Sequence, residues 1–363
     1  KMRRIIIRNI GALEDVDIRL SDINVIIGPQ SLGKSTLLKI CSYCAWVEKR
    51  IQLSQDYSAF ANSDLFYQRL VVFHKLDRYF RKGGYLAYTS DTMSFSYDYD
   101  TSRFSFCWNE DHRWNFHRPA ISYIPSERNL VAAIPNWLEV SMPQNNIRSF
   151  MKDWEFARRA EKVSLPILNL DVAYRYDDNV GDQIMLDSSR SLDFTDASSG
   201  IQSLVPLYVF VHYMFRQLDG YVRPQTIKDD MEENRLRSIL NNTLLRNGLA
   251  ADEYERLVVN YMKANHCELF VEEPENNLFP PTQVRLIDWL LELTESHPGS
   301  MLSLATHSPY VLNAFLEKKN SKTVLVLYRN TNGATSVKSL TDEEQDEVYD
   351  NGIDAFFNLE NLI

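Results

Sequence analysis

Cysteine is scarce, with four in 363 residues: Cys41, Cys44, Cys107 and Cys267. Only Cys41 and Cys44 form a Cys-x-x-Cys pair, and nothing else stands at zinc-ligand spacing. A chain of this length buries enough apolar surface to need no disulfide staples, so the thiols are expected to be packed and reduced. Long apolar runs are also missing. The longest, Leu204–Phe215, is interrupted by Pro206 and His212 and is too short to cross a bilayer. No secretory leader is legible, and the expected location is the cytoplasm, without a membrane partner. Basic residues are outnumbered, 39 Lys and Arg against 49 Asp and Glu. The net charge of −10 argues against a general nucleic-acid coat, although not against a local patch. The first 50 residues carry nine basic and five acidic side chains, so a mildly basic N-terminal surface is expected. No internal repeat or low-complexity linker divides the chain.

What is present is organised around Gly28-Pro29-Gln30-Ser31-Leu32-Gly33-Lys34-Ser35-Thr36, which reads G-x-x-x-x-G-K-S. The apolar run Val25-Ile26-Ile27 before it predicts a buried strand, and Thr36–Ile40 predicts the start of a helix. Two glycines let the backbone curl so that its N–H groups face phosphates, and the helix N-terminus adds partial positive charge. Lys34 can reach β- and γ-phosphates, and the Ser35 hydroxyl can ligate Mg²⁺.

Three strands are predicted before this loop, at Arg4–Arg8, Val16–Leu20 and Ile23–Ile27. Residues 37–82 read as mainly helical, with Gly83-Gly84 ending the pattern. Met93–Tyr99 and Arg103–Trp108 alternate apolar and polar around Asp100-Thr-Ser, a hairpin signal. Its rings, from Phe95 to Trp108, either glue the sheet or stack bases, and sheet packing is the expectation. Ala120–Ile124 is a further short strand, followed by the polar candidates Glu127 and Arg128. Residues 150–163 read as a charged helix with Trp154, Phe156 and Ala157 on one side. Asp171–Asp187 is strand-like and acidic, and residues 216–265 are charged and helical.

The second strong signal is Cys267–Glu272-Glu273-Pro274-Glu275-Asn276-Asn277. An apolar strand ends there in two adjacent carboxylates, the first suited to hold Mg²⁺ and the second to polarise an attacking water. Downstream, Met301–Ala305 predicts a strand ending in Thr306-His307-Ser308-Pro309, where the histidine can meet a γ-phosphate. Thr323–Tyr328 and Thr335–Leu340, joined through Asn332-Gly333, predict a terminal hairpin.

In this order the motifs resemble an ABC-type ATPase head of the RecF/SMC/OLD (overcoming lysogenization defect) group. The Glu-Glu-Pro-Glu-Asn and Thr-His-Ser-Pro-Tyr forms look most like OLD-type ATPases, many of them from bacterial antiphage defence modules. The resemblance implies an α/β fold: a P-loop head with a central, mostly parallel sheet, an antiparallel β subdomain and helical insertions. It spans residues 1–363 as one domain, with insertions at 45–117 and 216–265. It further implies that ATP is bound by residues 28–36, with Mg²⁺ held by Ser35, Glu272 and, near the Q-loop position, Glu127. Glu273 and His307 would be catalytic. Ser199, Gly200 and Gln202, in the signature-like stretch Ser198–Gln202, would close the site of another subunit in a head-to-tail dimer, the unit of a homo-oligomer. The stretch from Lys34 to that loop is too short for a long coiled-coil arm. The segment after His307 is too short for the nuclease domain of OLD nucleases. The expected role is therefore the ATPase or sensor subunit of a defence system acting through a separate effector, such as a nuclease. The alternative is a RecF-like ATPase that clamps DNA.

Overall fold

Three β-rich runs separated by tight turns open the chain, and each becomes a strand: β1 (Arg3–Ile10), β2 (Leu13–Leu20) and β3 (Ile23–Ile27). The computed structural model describes residues 2–134, 136–221, 227–244 and 250–359. After β3 come α1 (Lys34–Ser54), α2 (Ser58–Ala61), α3 (Leu65–His74), β4 (Phe80–Ser90), β5 (Met93–Asp98), β6 (Arg103–Trp108) and β7 (Pro119–Ile124). The middle holds α4 (Leu130–Ala133), α5 (Asn146–Ala160), β8 (Leu165–Pro166), β9 (Ala173–Asp177), β10 (Gly181–Met185) and β11 (Ser191–Asp193). Then follow α6 (Ser199–Leu218), α7 (Ile227–Leu244), α8 (Ala251–Met262), β12 (His266–Glu272), α9 (Pro280–Ser296) and β13 (Met301–Ala305). The chain ends with α10 (Pro309–Glu317), β14 (Thr323–Arg329), β15 (Thr335–Ser339), α11 (Asp342–Asp350) and α12 (Ala355–Asn358).

The strands form one 11-stranded sheet in the order β6-β5-β4-β1-β2-β15-β14-β3-β13-β12-β7, and a second, four-stranded sheet, β11-β10-β9-β8. From β14 to β7 every pairing is parallel, whereas β6 through β2 pair antiparallel. This is the α/β class expected, with the antiparallel arm continuous with the parallel core. Both faces of the parallel part are covered, so its strands read as continuous apolar runs. Alternate residues of β3 serve opposite layers. Ile23, Val25 and Ile27 join a core with α5, α6, α9 and α10, and Ile26 joins one with α1 and α3.

The helical reading of residues 37–82 ends too late. Helix gives way after His74, and β4 runs straight through Gly83 and Gly84. The pair marks a register shift against β1 between Arg8 and Ile10 rather than a break. Gly83 has φ +77°, and a Cβ on Gly84 would lie 2.9 Å from the Arg81 carbonyl.

Part of the basic charge expected at the N-terminal surface is neutralised locally. Arg3 is buried and paired with Glu268, with Glu48 3.8 Å away, while Arg4 lies 2.5 Å from Asp17 and Arg8 3.8 Å from Asp15. These three arginines face carboxylates on neighbouring elements, and Arg4 and Arg8 do so at the surface. In the hairpin, Phe95, Tyr97 and Phe104 are buried around Phe66 of α3, so these rings are sheet and core packing, not a base-stacking face. Phe156 also departs from expectation: Trp154 and Ala157 are buried, but Phe156 is 53% exposed, two positions round the helix from Trp154.

The stretch 45–117 contains the second half of α1, then α2, α3 and β4–β6. Within 216–265, α7 and α8 pack with Phe116 into a small core of their own, including Leu240 and Tyr261. Residues 222–226 and 245–249 of that stretch lie outside the described residues. Cys41, Cys44 and Cys267 are buried free thiols, as expected, while Cys107 is free and exposed. Among the described residues no helix is long and apolar enough to cross a membrane.

Candidate functional site

Parallel pairing brings distant motifs to one edge. Ile26 of β3 stands opposite Ala305 of β13, Ala305 opposite Glu272 of β12, and Val271 of β12 opposite Ile124 of β7. The loops leaving these four carboxyl ends therefore emerge side by side: Gly28–Gly33, Glu273–Asn277, Thr306–Ser308 and Pro125–Arg128. Crevices outside the carboxyl ends of such strands are where open α/β sheets bind ligands.

The first loop requires its glycines. Gly28 has φ +142°, and a Cβ there would lie 2.5 Å from the Leu327 carbonyl oxygen on β14. Gly33, at φ +99°, caps α1, and Ser31 also has a positive φ, +65°. Helix α1 has neither a side-chain N-cap nor an acidic residue in its first turn, so its leading N–H groups are left for an anion. The Lys34 ammonium donates to the carbonyls of Gly28 (2.7 Å) and Pro29 (2.8 Å). Burial pulls its pKa to about 8, opposed by the nearby Glu273 and Glu275. Ser35 is half-buried and Thr36 buried in the same turn, whereas Pro29, Gln30 and Ser31 are exposed and Leu32 is in the core.

Glu272 is buried. One carboxylate oxygen accepts from the Ser126 amide (3.2 Å), and the other lies 4.0 Å from the Lys39 ammonium. Glu273 has left the strand with φ +43°, a conformation costing about 1–2 kcal/mol for a non-glycine residue. Its amide still donates to the Ala305 carbonyl (2.9 Å), and its carboxylate lies 3.5 Å from His307 Nε2. Burial, reinforced by Lys34, lowers the His307 pKa against the opposing charge of Glu273, which favours the neutral ring near pH 7. Beneath them Glu275, its carboxyl pushed up by burial, accepts from the His307 amide at 2.6 Å.

Glu127 and Arg128 part company. The Glu127 carboxylate faces Lys75 at 3.0 Å and accepts from the Ser126 hydroxyl. Burial works to raise its pKa, but the Lys75 bond and charge outweigh that and lower it. Arg128 is 1% exposed and does what the sequence did not disclose. Its guanidinium donates to the carbonyls of Glu272 (2.8 Å), Glu273 (2.7 Å), Pro125 (3.3 Å) and Ser203 (3.1 Å). One side chain thus fastens the turn after β12 to the loop after β7 and the first turns of α6. Burial pulls its pKa to about 10, so it stays charged. Arg128→Met is expected to lower the unfolding free energy by on the order of 3 kcal/mol, since hydrogen bonds to a charged group contribute about 1.5–3 kcal/mol each. Urea denaturation measures this; a loss within 0.5 kcal/mol, the scale of a surface change, would remove Arg128 from the framework.

The stretch around Ser199 begins α6, several residues before the apolar run that marked it. The Ser198 hydroxyl accepts from the Ile201 amide (3.5 Å), and both Ser198 and Ser199 are exposed. A Cβ on Gly200 would lie 2.9 Å from the Asn277 carbonyl, and the Asn277 amide donates to the Ser203 hydroxyl (2.9 Å). The Gln202 amide turns back to the Thr195 carbonyl (2.7 Å), so it braces its own loop. The loop is thereby locked to the turn that carries Glu273, while its two serines face outward.

No family model matches the chain, and no curated relative matches it. Among solved structures, it is similar to an SMC head domain from Thermotoga maritima, at 12% identity and TM-score 0.44 over 94% of this chain and 99% of that one. It is similar to an Smc head domain with an extended coiled coil, bound to the C-terminal domain of ScpA derived from Pyrococcus furiosus. There the identity is 11% and the TM-score 0.46, over 96% of this chain and 98% of that one. A third likeness is to an ATP-binding cassette of an ABC transporter, at 13% identity and TM-score 0.35 over 99% and 98%. These are likenesses of fold at low identity, and the chemistry is read from the site's own residues.

Proposed function

We propose that the chain binds Mg·ATP at Gly28–Thr36 and hydrolyses it. The supporting observation is the meeting of Lys34, Glu272, Glu273 and His307 at one sheet edge, with the Glu273 carboxylate 3.5 Å from His307 Nε2. The curled loop, its free helix N-terminus and Lys34 suit the phosphates. Magnesium is ordinarily held by one or two carboxylates plus substrate phosphates and keeps several waters. Ser35 and Glu272 supply such a donor set, with Glu127 further out on its ion pair with Lys75. The ion would neutralise phosphate charge. Glu273 orients the attacking water and takes its proton, while neutral His307 donates to the γ-phosphate.

The exposed Ser199 and the adjacent Gly200 support a composite site, in which they meet ATP held by Lys34 of another copy. ATP then closes a head-to-tail dimer through γ-phosphate contacts present only in the closed state. Ser199→Asp tests this without straining the fold, because a carboxylate suits the first turn of a helix. Lys34→Ala and Ser199→Asp should each be inactive. Mixed in equal amounts with free exchange, half the dimers carry one intact site, and activity should return to about a quarter of wild type. No recovery after cross-linking has verified the heterodimers would contradict the trans assignment.

The OLD-like form of the motifs supports the further reading of an antiphage ATPase or sensor subunit with a separate effector. Cells holding the chain and its co-purifying partner should resist phage, and the Lys34→Ala form should not. Resistance that survives loss of ATP binding would remove the ATPase from that role.

A further inference from the structure

A cavity of about 730 Å³ opens between α1, α3, β7 and α5, and the proposed hydrolysis does not use it. Its volume is within the about 300–1,000 Å³ of small-molecule sites. Gln68, Arg69 and Val72 stand exposed at its mouth on α3. Deeper in, His74 is 1% exposed, and its Nδ1 has no hydrogen-bond partner among the described residues. A buried polar atom left unmatched costs stability unless something answers it. The walls carry two cations, Lys49 and Arg69, against one carboxylate, Asp153. Burial pushes Asp153 up to about 7 and pulls Lys49 to about 8, which leaves the balance positive near neutrality. Trp46 supplies a flat wall, stacked on Tyr43 at 5.6 Å, with the Arg69 guanidinium 5.4 Å over its ring. Tyr123 separates the cavity from Glu272, and that carboxylate adds to burial in pushing the phenol up.

We propose that this cavity is a second binding site, for a small planar aromatic molecule carrying one anionic group. The ring lies against Trp46, the anion meets Lys49 and Arg69, and a polar ring atom answers His74. An occupant would sit one side chain away from Glu272.

The fluorescent probe 8-anilinonaphthalene-1-sulfonate tests the site on the full chain, with N-phenyl-1-naphthylamine as its uncharged counterpart. The sulfonate should bind saturably at one site. Val72→Trp, which fills the mouth from an exposed position, should abolish binding. Arg69→Gln should weaken it at least fivefold, and the uncharged dye should bind more weakly by a similar factor. Lys34→Ala should leave it unchanged, which separates this site from the proposed nucleotide site. No saturable binding, binding that survives Val72→Trp, indifference to both Arg69 and the dye's charge, or loss in Lys34→Ala would each overturn the proposal.

Discussion

Glu273→Gln should bind ATP as tightly as the unaltered chain yet hydrolyse it about 10²- to 10⁴-fold more slowly, the usual contribution of a positioned general base. Gln keeps the shape and the amide bond to Ala305 but cannot take a proton. The variant should therefore hold ATP and accumulate the closed dimer. Calorimetry gives the affinity, single-turnover phosphate release the rate, and size-exclusion chromatography with ATP the dimer. The left-handed backbone at Glu273 is what aims its carboxylate at His307 rather than along the strand, so the effect should be specific. Turnover at the wild-type rate would move the base to another group, with Glu272 the first to examine.

Lys34→Ala should weaken ATP binding on the order of 10- to 100-fold, from the loss of charge-assisted bonds of about 1.5–3 kcal/mol. Unchanged affinity by calorimetry would sink the phosphate-loop reading. The same residue leaves a signature in the ligand-free protein. Its folded pKa of about 8 is below its ordinary 10.5. Between those values the unfolded chain holds the proton and the folded chain does not, so stability rises with pH across that window. Thermal unfolding from pH 7.5 to 10.5 should show a shallower rise in Lys34→Ala than in wild type. Equal slopes would mean that Lys34 is not held in a desolvated position.

The turn at Gly28–Gly33 was legible because its geometry is local. A strand, six residues with two glycines, and a helix suffice, and Gly28 and Gly33 both take positive φ. The two carboxylates ending β12 and the histidine after β13 were legible for the same reason: each is a polar break at the end of a short apolar run. Glu127 and Arg128 were not separable in sequence. Both follow a strand, but which one turns inward depends on where carbonyls from β12 and α6 come to rest. Arg3 misled because its partner Glu268 lies far along the chain, whereas Arg4 and Arg8 face Asp17 and Asp15 on the next strand. Gly83 and Gly84 misled because a bulge and a break share the same residues.

The amino-acid sequence by itself determined the Gly28–Gly33 turn between strand and helix, the order of most strands along the chain, β4 excepted, the hairpins, and the residue types at the end of each parallel strand. These follow from period, turn chemistry and short-range sterics, which act within a few residues. Only the tertiary structure decided that β3, β13, β12 and β7 lie side by side, that Arg128 is shared between two glutamate carbonyls, and that Gly200 leans on Asn277. Those outcomes rest on pairing and burial between segments tens to hundreds of residues apart, where the partner, not the residue, sets the energy.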